Sequence, residues 1–336
     1  MRAMVLSQTA LLSDEPEPLH CMELDTPQPA ENELLIRVAA CGVCHTELDE
    51  IEGRLTPSRL PIVLGHEVVG RVAERGSQVT RFDIGDRVGV GWIHHSSGTP
   101  AENLSPQFAA TGCDVNGGYA EFMTVPETYA VAIPDRFSDA QAAPLMCAGA
   151  IGYRALRLTG LRDGEPLGLM GFGGSGHLVL QTAKHLFPNS PVYVFTREES
   201  VQRFACKLSA DWAGGIDATP PQPLNAIIDT TPAWKPVVES LKKLHPGGRL
   251  VINAIRKEDA DKEELLKLSY HEHLWMEREI KSVANLTHAD IAEFLPLAAA
   301  IPILPEVTLF RLEQANAALR NLRRGQIKGA NVLVVA

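Results

Sequence analysis

The chain has 336 residues, 45% of them hydrophobic and 21% charged, the make-up of an ordinary soluble globular protein with room for about two domains. A formal net charge of −10 excludes the broad basic surface that a nucleic acid or an anionic membrane needs, though a local basic pocket for a phosphate is compatible with it. No run of about 18 apolar residues occurs, so no bilayer span is expected, and MRAMVLSQTALL lacks the apolar core and cleavage site of an export signal. The six cysteines (Cys21, Cys41, Cys44, Cys113, Cys147 and Cys206) therefore read as metal ligands or buried thiols rather than disulfides, with the cytoplasm as the expected compartment.

In chain order, apolar runs MRAMVL and ELLIRVAA, separated by DEPEPL and TPQPAEN, mark the first strands. Strand patterns return at 62–73 (IVLGHEVVGRVA) and 84–93 (IGDRVGVGWI), where glycines 85, 89 and 91 suit the bulges of a tightly curved sheet. Residues 94–118 form a polar loop. Strands resume in YAEFMTV and YAVAI, and Ala140–Leu158 reads as a helix broken near Pro144 and Gly149. The first domain is expected to be mostly β and to end close to Gly149.

From about 150 the pattern changes. Strands LGLMGF, VYVF, NAIIDT, RLVINAI and EIKSVAN alternate with helices at Ser175–Phe187, Glu198–Leu208 and 235–244. That alternation predicts a parallel sheet with helices on both faces. Residues 258–278 are charged and helical in pattern. The tail supplies a helix (Ala289–Ala300), strand EVTLF, a helix (Leu312–Arg323) and strand NVLVVA. It is expected to pack back on the first domain.

Chemistry enters at GFGGSG, residues 171–176, after an apolar strand and opening a helix. Gly171 allows a tight turn, Gly173 and Gly174 let backbone approach a pyrophosphate, and Gly176 lets helix and strand pack closely. The next strand ends in Thr196-Arg197-Glu198. A hydroxyl and an arginine, where an acid would hold a ribose 2′-hydroxyl, favour NADP(H) over NAD(H). The alternative leaves Arg197 solvated and gives the ribose to Glu198.

Cys44, His66 and Cys147 are ligand types that zinc accepts, and three protein ligands leave a fourth position open, as a catalytic zinc requires. Taken singly, each is more often a core or surface residue. Their surroundings decide. GVCHTELDEIEG, LPIVLGHEVVGRV, GDRVGV, NGGYAEF, PLMCAG and GFGGSG resemble the zinc-containing medium-chain alcohol dehydrogenases in order and spacing. SVANLT and IPILPEV resemble the bacterial cinnamyl-alcohol-dehydrogenase-like branch.

The resemblance covers essentially the whole chain. It implies an α/β protein with a GroES-like, β-rich catalytic domain (1–148 and 286–336) and a Rossmann doubly wound parallel-sheet domain (149–285), with the sites in the cleft between them. It implies Cys44, His66 and Cys147 as ligands of one catalytic zinc, with Cys41 a structural thiol despite its CxxC spacing. Glu67 would be an acid that approaches the metal, and Glu47 a carboxylate that orients a ligand imidazole. Thr46 would bond the substrate oxygen, and His45 would face the cofactor phosphates or help move the proton. Trp92, in GVGWI, would line the substrate pocket, or be a core aromatic. Zinc would acidify an alcohol, hydride would pass to the nicotinamide, and the proton would leave through Thr46 and the cofactor ribose.

Three positions depart from the family pattern. The family often carries four closely spaced cysteines after the GDRVGVGW strand that hold a second, structural zinc; here the loop has only Cys113, which stands where the branch usually has an aromatic, so no structural zinc is expected, and the loop should be held by packing or be mobile. Asp49 stands where many members have the last proton-relay histidine. Ala330 stands where an arginine often meets the cofactor pyrophosphate. The expected function is hydride transfer between NAD(P)(H) and a primary alcohol or aldehyde, with aromatic and allylic substrates as candidates, in a cytoplasmic homo-oligomer (dimer or tetramer). A polyol dehydrogenase, a zinc-free enone or quinone reductase and a catalytically silent nucleotide binder are the alternatives.

Overall fold

The computed structural model describes residues 1–325 and 329–335, and the chain divides into two units. The first comprises Met1–Ala150, Leu286–Ala299 and Leu304–Ala336, and the second Ile151–Asn285 with Ala300–Ile303. Relative to the boundaries read from sequence, the first border falls after Ala150, inside a helix, and a four-residue piece of the tail groups with the second unit.

The first unit begins with β1 (Arg2–Leu6), β2 (Leu19–Glu23) and β3 (Glu33–Val43), followed by the short helix α1 (His45–Ile51). Then come β4 (Ile62–Val63), β5 (Val68–Arg75), β6 (Arg87–Val90), β7 (Ile93–His95), β8 (Ala109–Ala110), β9 (Phe122–Pro126) and β10 (Ala130–Ala132). The apolar run at 62–73 is not one strand. It breaks at 64–67, where Gly65 takes φ +99 and an added Cβ would sit 2.4 Å from the Tyr119 ring. Trp92 likewise lies in a break between β6 and β7 rather than within a strand. Both interruptions lift a polar or aromatic side chain out of the sheet's alternation.

The stretch expected to be a broken helix resolves into α2 (Asp139–Ala142), a 3-10 turn (Ala143–Met146) containing Pro144, and α3 (Ala148–Thr159). The break falls at Cys147, with φ −128 and ψ −75. Gly149 lies inside α3 instead of ending a helix, and it serves there as a close-packing residue, since an added Cβ would meet Phe294 at 2.5 Å.

The second unit is a six-stranded sheet. It holds β11 (Leu167–Met170), β12 (Val192–Phe195), β13 (Trp212–Gly214), β14 (Leu224–Asp229), β15 (Leu244–Ile252) and β16 (Glu279–Ser282), with helices α4 (Gly174–Leu186), α5 (Glu199–Lys207) and α6 (Lys235–Lys243). The order is β13-β12-β11-β14-β15-β16, every pair parallel. Alternate side chains serve two cores. Leu169, Val192 and Val194 pack with Val179 and Leu180 of α4, while Met170, Tyr193 and Phe195 pack with Val237 and Leu241 of α6. The chain leaves β11 toward one edge and returns through β14 toward the other, so the switch point lies between β11 and β14.

Residues 258–278 do not form the helix that their charge pattern suggests. They make a 3-10 segment (Asp259–Lys267) with no buried residue, then a π turn (Tyr270–Leu274). Without an apolar face to bury, a polar helix has little tertiary support.

The tail adds α7 (His288–Ala300), β17 (Val307–Arg311), α8 (Ala315–Arg323) and β18 (Ala330–Val334). β18 pairs antiparallel with β3, Asn331 opposite Val43 and Leu333 opposite Cys41. In this sheet, of order β10-β6-β5-β3-β18-β17, β3 also pairs β9, and Ile36, Val38, Val72, Val88 and Leu333 fill the core.

Candidate metal and dinucleotide sites

The first site grows from the end of β3. Cys44 is the N-cap of α1, and Glu47 reaches back so that Oε2 accepts the Cys44 amide at 2.7 Å. The other oxygen of the same carboxylate lies 2.6 Å from His66 Nδ1. One side chain thus ties the helix start to the break between β4 and β5 that carries His66. Cys147 arrives from the break before α3. The donor atoms of Cys44, His66, Glu67 and Cys147 all lie within 4.8 Å of one another. Gly42 is obligatory here, since a Cβ would fall 1.8 Å from Glu67 Oε2.

The buried groups shift one another's protonation strongly. Cys147 donates to Cys44 and, with His66, holds its thiol well below the ordinary range against the opposing effect of burial. Cys147, which keeps the proton, is pushed up. Burial opposes charge on His66, yet the Glu47 carboxylate and Cys44 outweigh it and raise the imidazole. Burial, then the charge on Cys44, pushes Glu67 up. Among the described residues the fully buried His66 Nε2 has no hydrogen-bond partner. Two thiols, an imidazole nitrogen without a partner and a carboxylate fit zinc. Cys41 stays outside the group, fully buried in β3 and pushed up by burial.

Thr46 is buried with its Oγ1 3.6 Å from Cys44 Sγ, and His45 is exposed at the start of α1. Asp49 is buried, and its Oδ1 accepts Arg54 Nε at 2.8 Å. Sequence reasoning did not single out Arg54. Trp92 stands 5.9 Å from the His66 ring, and Phe108 meets Trp92 edge-on at 5.7 Å. Phe108 was also missed; an aromatic inside a polar loop was the available signal. Glu50 is a third omission. It is fully buried near Cys113, and burial together with Glu47 pushes its carboxyl well up.

The loop that carries Cys113 is held by a buried acid, a device not foreseen from sequence. Glu102 accepts the His288 amide at 2.6 Å on one oxygen and the Tyr129 hydroxyl at 3.1 Å on the other. Its carbonyl accepts Ser96 Oγ at 2.7 Å.

The second site lies at the carboxyl end of β11. Gly171 has φ +84, and a Cβ there would strike Thr230 Oγ1 at 2.7 Å. A Cβ on Gly173 would meet nothing, so the turn is open where a ligand would approach, and one on Gly176 would press the Gly171 carbonyl at 3.0 Å. Gly174 opens α4, whose N-terminus no side chain caps. Its first amides and positive dipole end suit a phosphate. Thr196 is half-buried beyond β12, and Arg197 and Glu198 are both exposed. Ala330 opens β18 as a small buried residue.

Residues 30–135 match the model of the alcohol dehydrogenase GroES-like domain. The chain is 42% identical over 329 residues to a probable alcohol dehydrogenase, AdhA, of Mycobacterium tuberculosis, covering 95% of this chain and 93% of that one. It is 31% identical to cinnamyl alcohol dehydrogenase 2 of Rauvolfia serpentina, over 89% of this chain and 86% of that one. A cobalt- and zinc-bound thermostable alcohol dehydrogenase from Pyrobaculum aerophilum superposes with a TM-score of 0.84 at 25% identity, covering 99% of each chain. The class defined by this fold and these sites is a GroES-like domain joined to a Rossmann domain. The chain belongs to the medium-chain alcohol dehydrogenase family.

Proposed function

We propose that this protein is an NAD(P)-dependent alcohol dehydrogenase or aldehyde reductase working on primary alcohols and aldehydes, with one zinc per chain. The observation that carries this reading is the convergence of Cys44, His66, Glu67 and Cys147 with Glu47 behind the imidazole. Cys44, His66 and Cys147 would hold zinc, which when bound supplies Lewis acidity toward the substrate oxygen. The nicotinamide supplies the hydride chemistry.

The chain's own residues do the rest. Glu47 orients His66 and presents Nε2 to the site. Glu67 stands ready to approach the cation, and the Thr46 hydroxyl is placed to hold a substrate hydroxyl and take its proton. Asp49, oriented by Arg54, is the next acceptor, and His45 serves from the exposed start of α1. Trp92, with Phe108 packed edge-on against it, sets aromatic surface beside His66, which supports aromatic or allylic substrates.

Arg197, exposed past β12, supports NADP(H) over NAD(H), with Thr196 beside the ribose. Six free cysteines fit a reducing cytoplasm. Among the described residues no helix is long and apolar enough to cross a membrane. The test compares cinnamaldehyde reduction with NADPH and with NADH at subsaturating cofactor. The expected result is a higher kcat/KM with NADPH, lost in Arg197→Ala. A clear NADH preference would overturn the cofactor assignment, and no turnover with either would overturn the activity.

A further inference from the structure

Asp229 ends β14 fully buried, across the switch point from the glycine turn. Its Oδ1 accepts both the amide of Thr231, at 2.9 Å, and its hydroxyl, at 2.7 Å. Its Oδ2 accepts Lys257 Nζ at 2.5 Å. The same ammonium donates to the carbonyls of Thr231 at 2.7 Å and Ala233 at 3.0 Å. Lys257, with a side chain 8% exposed, thus uses its three protons inside the protein, as a fixed cation at the centre of a loop.

More bonds bind the loops after β14 and β15 into one piece. The Asn253 amide donates to the Asp229 carbonyl at 2.7 Å, and the Glu258 amide to the Pro232 carbonyl at 2.7 Å. Asp261 accepts the amides of Trp234 at 3.0 Å and Lys235 at 2.8 Å, at the start of α6. This double loop touches the glycine turn. Thr230 Oγ1 donates to the Met170 carbonyl at 3.1 Å, and it is the atom nearest to where a Cβ on Gly171 would lie.

A doubly wound sheet is two mononucleotide-binding halves meeting at the switch point. β11 to β13, with the glycine turn and Arg197, form the half for the adenosine side. β14 to β16 form the half for the nicotinamide nucleotide. We propose that Lys257 and Asp229 are positioning residues for the nicotinamide half of the dinucleotide: their buried ion pair sets the loops after β14 and β15 in binding geometry before the cofactor arrives. Prepaying that order strengthens binding of whatever rests on those loops and leaves the adenosine side unaffected. The proposal rests on the dinucleotide reading given above.

The test measures binding of NADPH, NADH and the adenosine-side fragments 2′,5′-ADP and AMP to the full-length wild type, to Lys257→Met and to the charge-neutral double variant Asp229→Asn/Lys257→Met. The double variant guards against misfolding caused by an orphaned carboxylate. The expected result is a loss of roughly tenfold in affinity for both dinucleotides, with 2′,5′-ADP and AMP affinity retained. A merely structural lesion would weaken all ligands together, and that outcome overturns the proposal, as does unchanged dinucleotide affinity in a folded double variant. A wild type that binds neither the dinucleotides nor the two adenosine-side fragments sinks the dinucleotide reading itself, which is a separate failure.

Discussion

His66 is fully buried, and one of its nitrogens faces a carboxylate while the other has no hydrogen-bond partner among the described residues. Such a ring is costly unless something accepts the remaining lone pair. Glu47 does two tasks, receiving the Cys44 amide and facing His66 Nδ1, so it couples the position of one proposed ligand to the orientation of another. Glu47→Gln keeps the shape and removes the charge. Metal affinity, measured by competition with a chromophoric chelator, should fall by about 10–100-fold; an unchanged affinity would contradict the role given to this carboxylate.

At this scale much of the site was legible in the sequence. Cys44, His66, Cys147, Glu47 and Glu67 stand within short motifs whose order is itself informative. Arg54, Phe108 and Glu50 were not legible, because their roles arise from contacts that no local spacing records. Arg54 reaches back five residues to Asp49, and Phe108 meets Trp92 across a loop.

Elements tell a similar story. The loop at 94–113 lacks the thiols that would hold a second zinc, and Glu102 ties it to Tyr129 and to the start of α7. Glu102→Ala would leave a buried hydroxyl and an amide without their acceptor. The cost should be about 2 kcal/mol or more, read as a lower unfolding midpoint, with Glu102→Gln recovering part of it. A midpoint unchanged in the alanine variant would show that packing alone holds the loop. Most strands followed from hydrophobic pattern, but β2, β8 and β13, which bury few apolar side chains, did not, and neither did the strand breaks. Residues 62–73 read as one strand-like run despite His66, Glu67 and Arg71 within it, and the ring of Tyr119 under Gly65 shows why the strand stops before His66. In contrast, Gly171 and the helix after it were readable, because a strand–glycine–helix junction is a local device.

At the scale of the whole molecule, β16 is the open edge of its sheet, and all four of its residues are exposed. Ile280, Trp275 and Met276 are 46%, 49% and 51% exposed. An edge of this kind invites pairing. A second copy aligned antiparallel about Ile280 would set Glu279 against Lys281, so the account expects a homo-oligomer, a dimer or a tetramer, formed through this edge. Sedimentation equilibrium should show it, with Ile280→Asp shifting the population to smaller species; a wild-type monomer at all concentrations would contradict it.

The central claim is a single catalytic zinc held by Cys44, His66 and Cys147. Elemental analysis of gently purified full-length protein tests it most directly. The account predicts about one zinc per chain, falling sharply in Cys44→Ser. Essentially none, even after growth with added zinc, would contradict the metal assignment, and about two per chain would contradict the single-site reading.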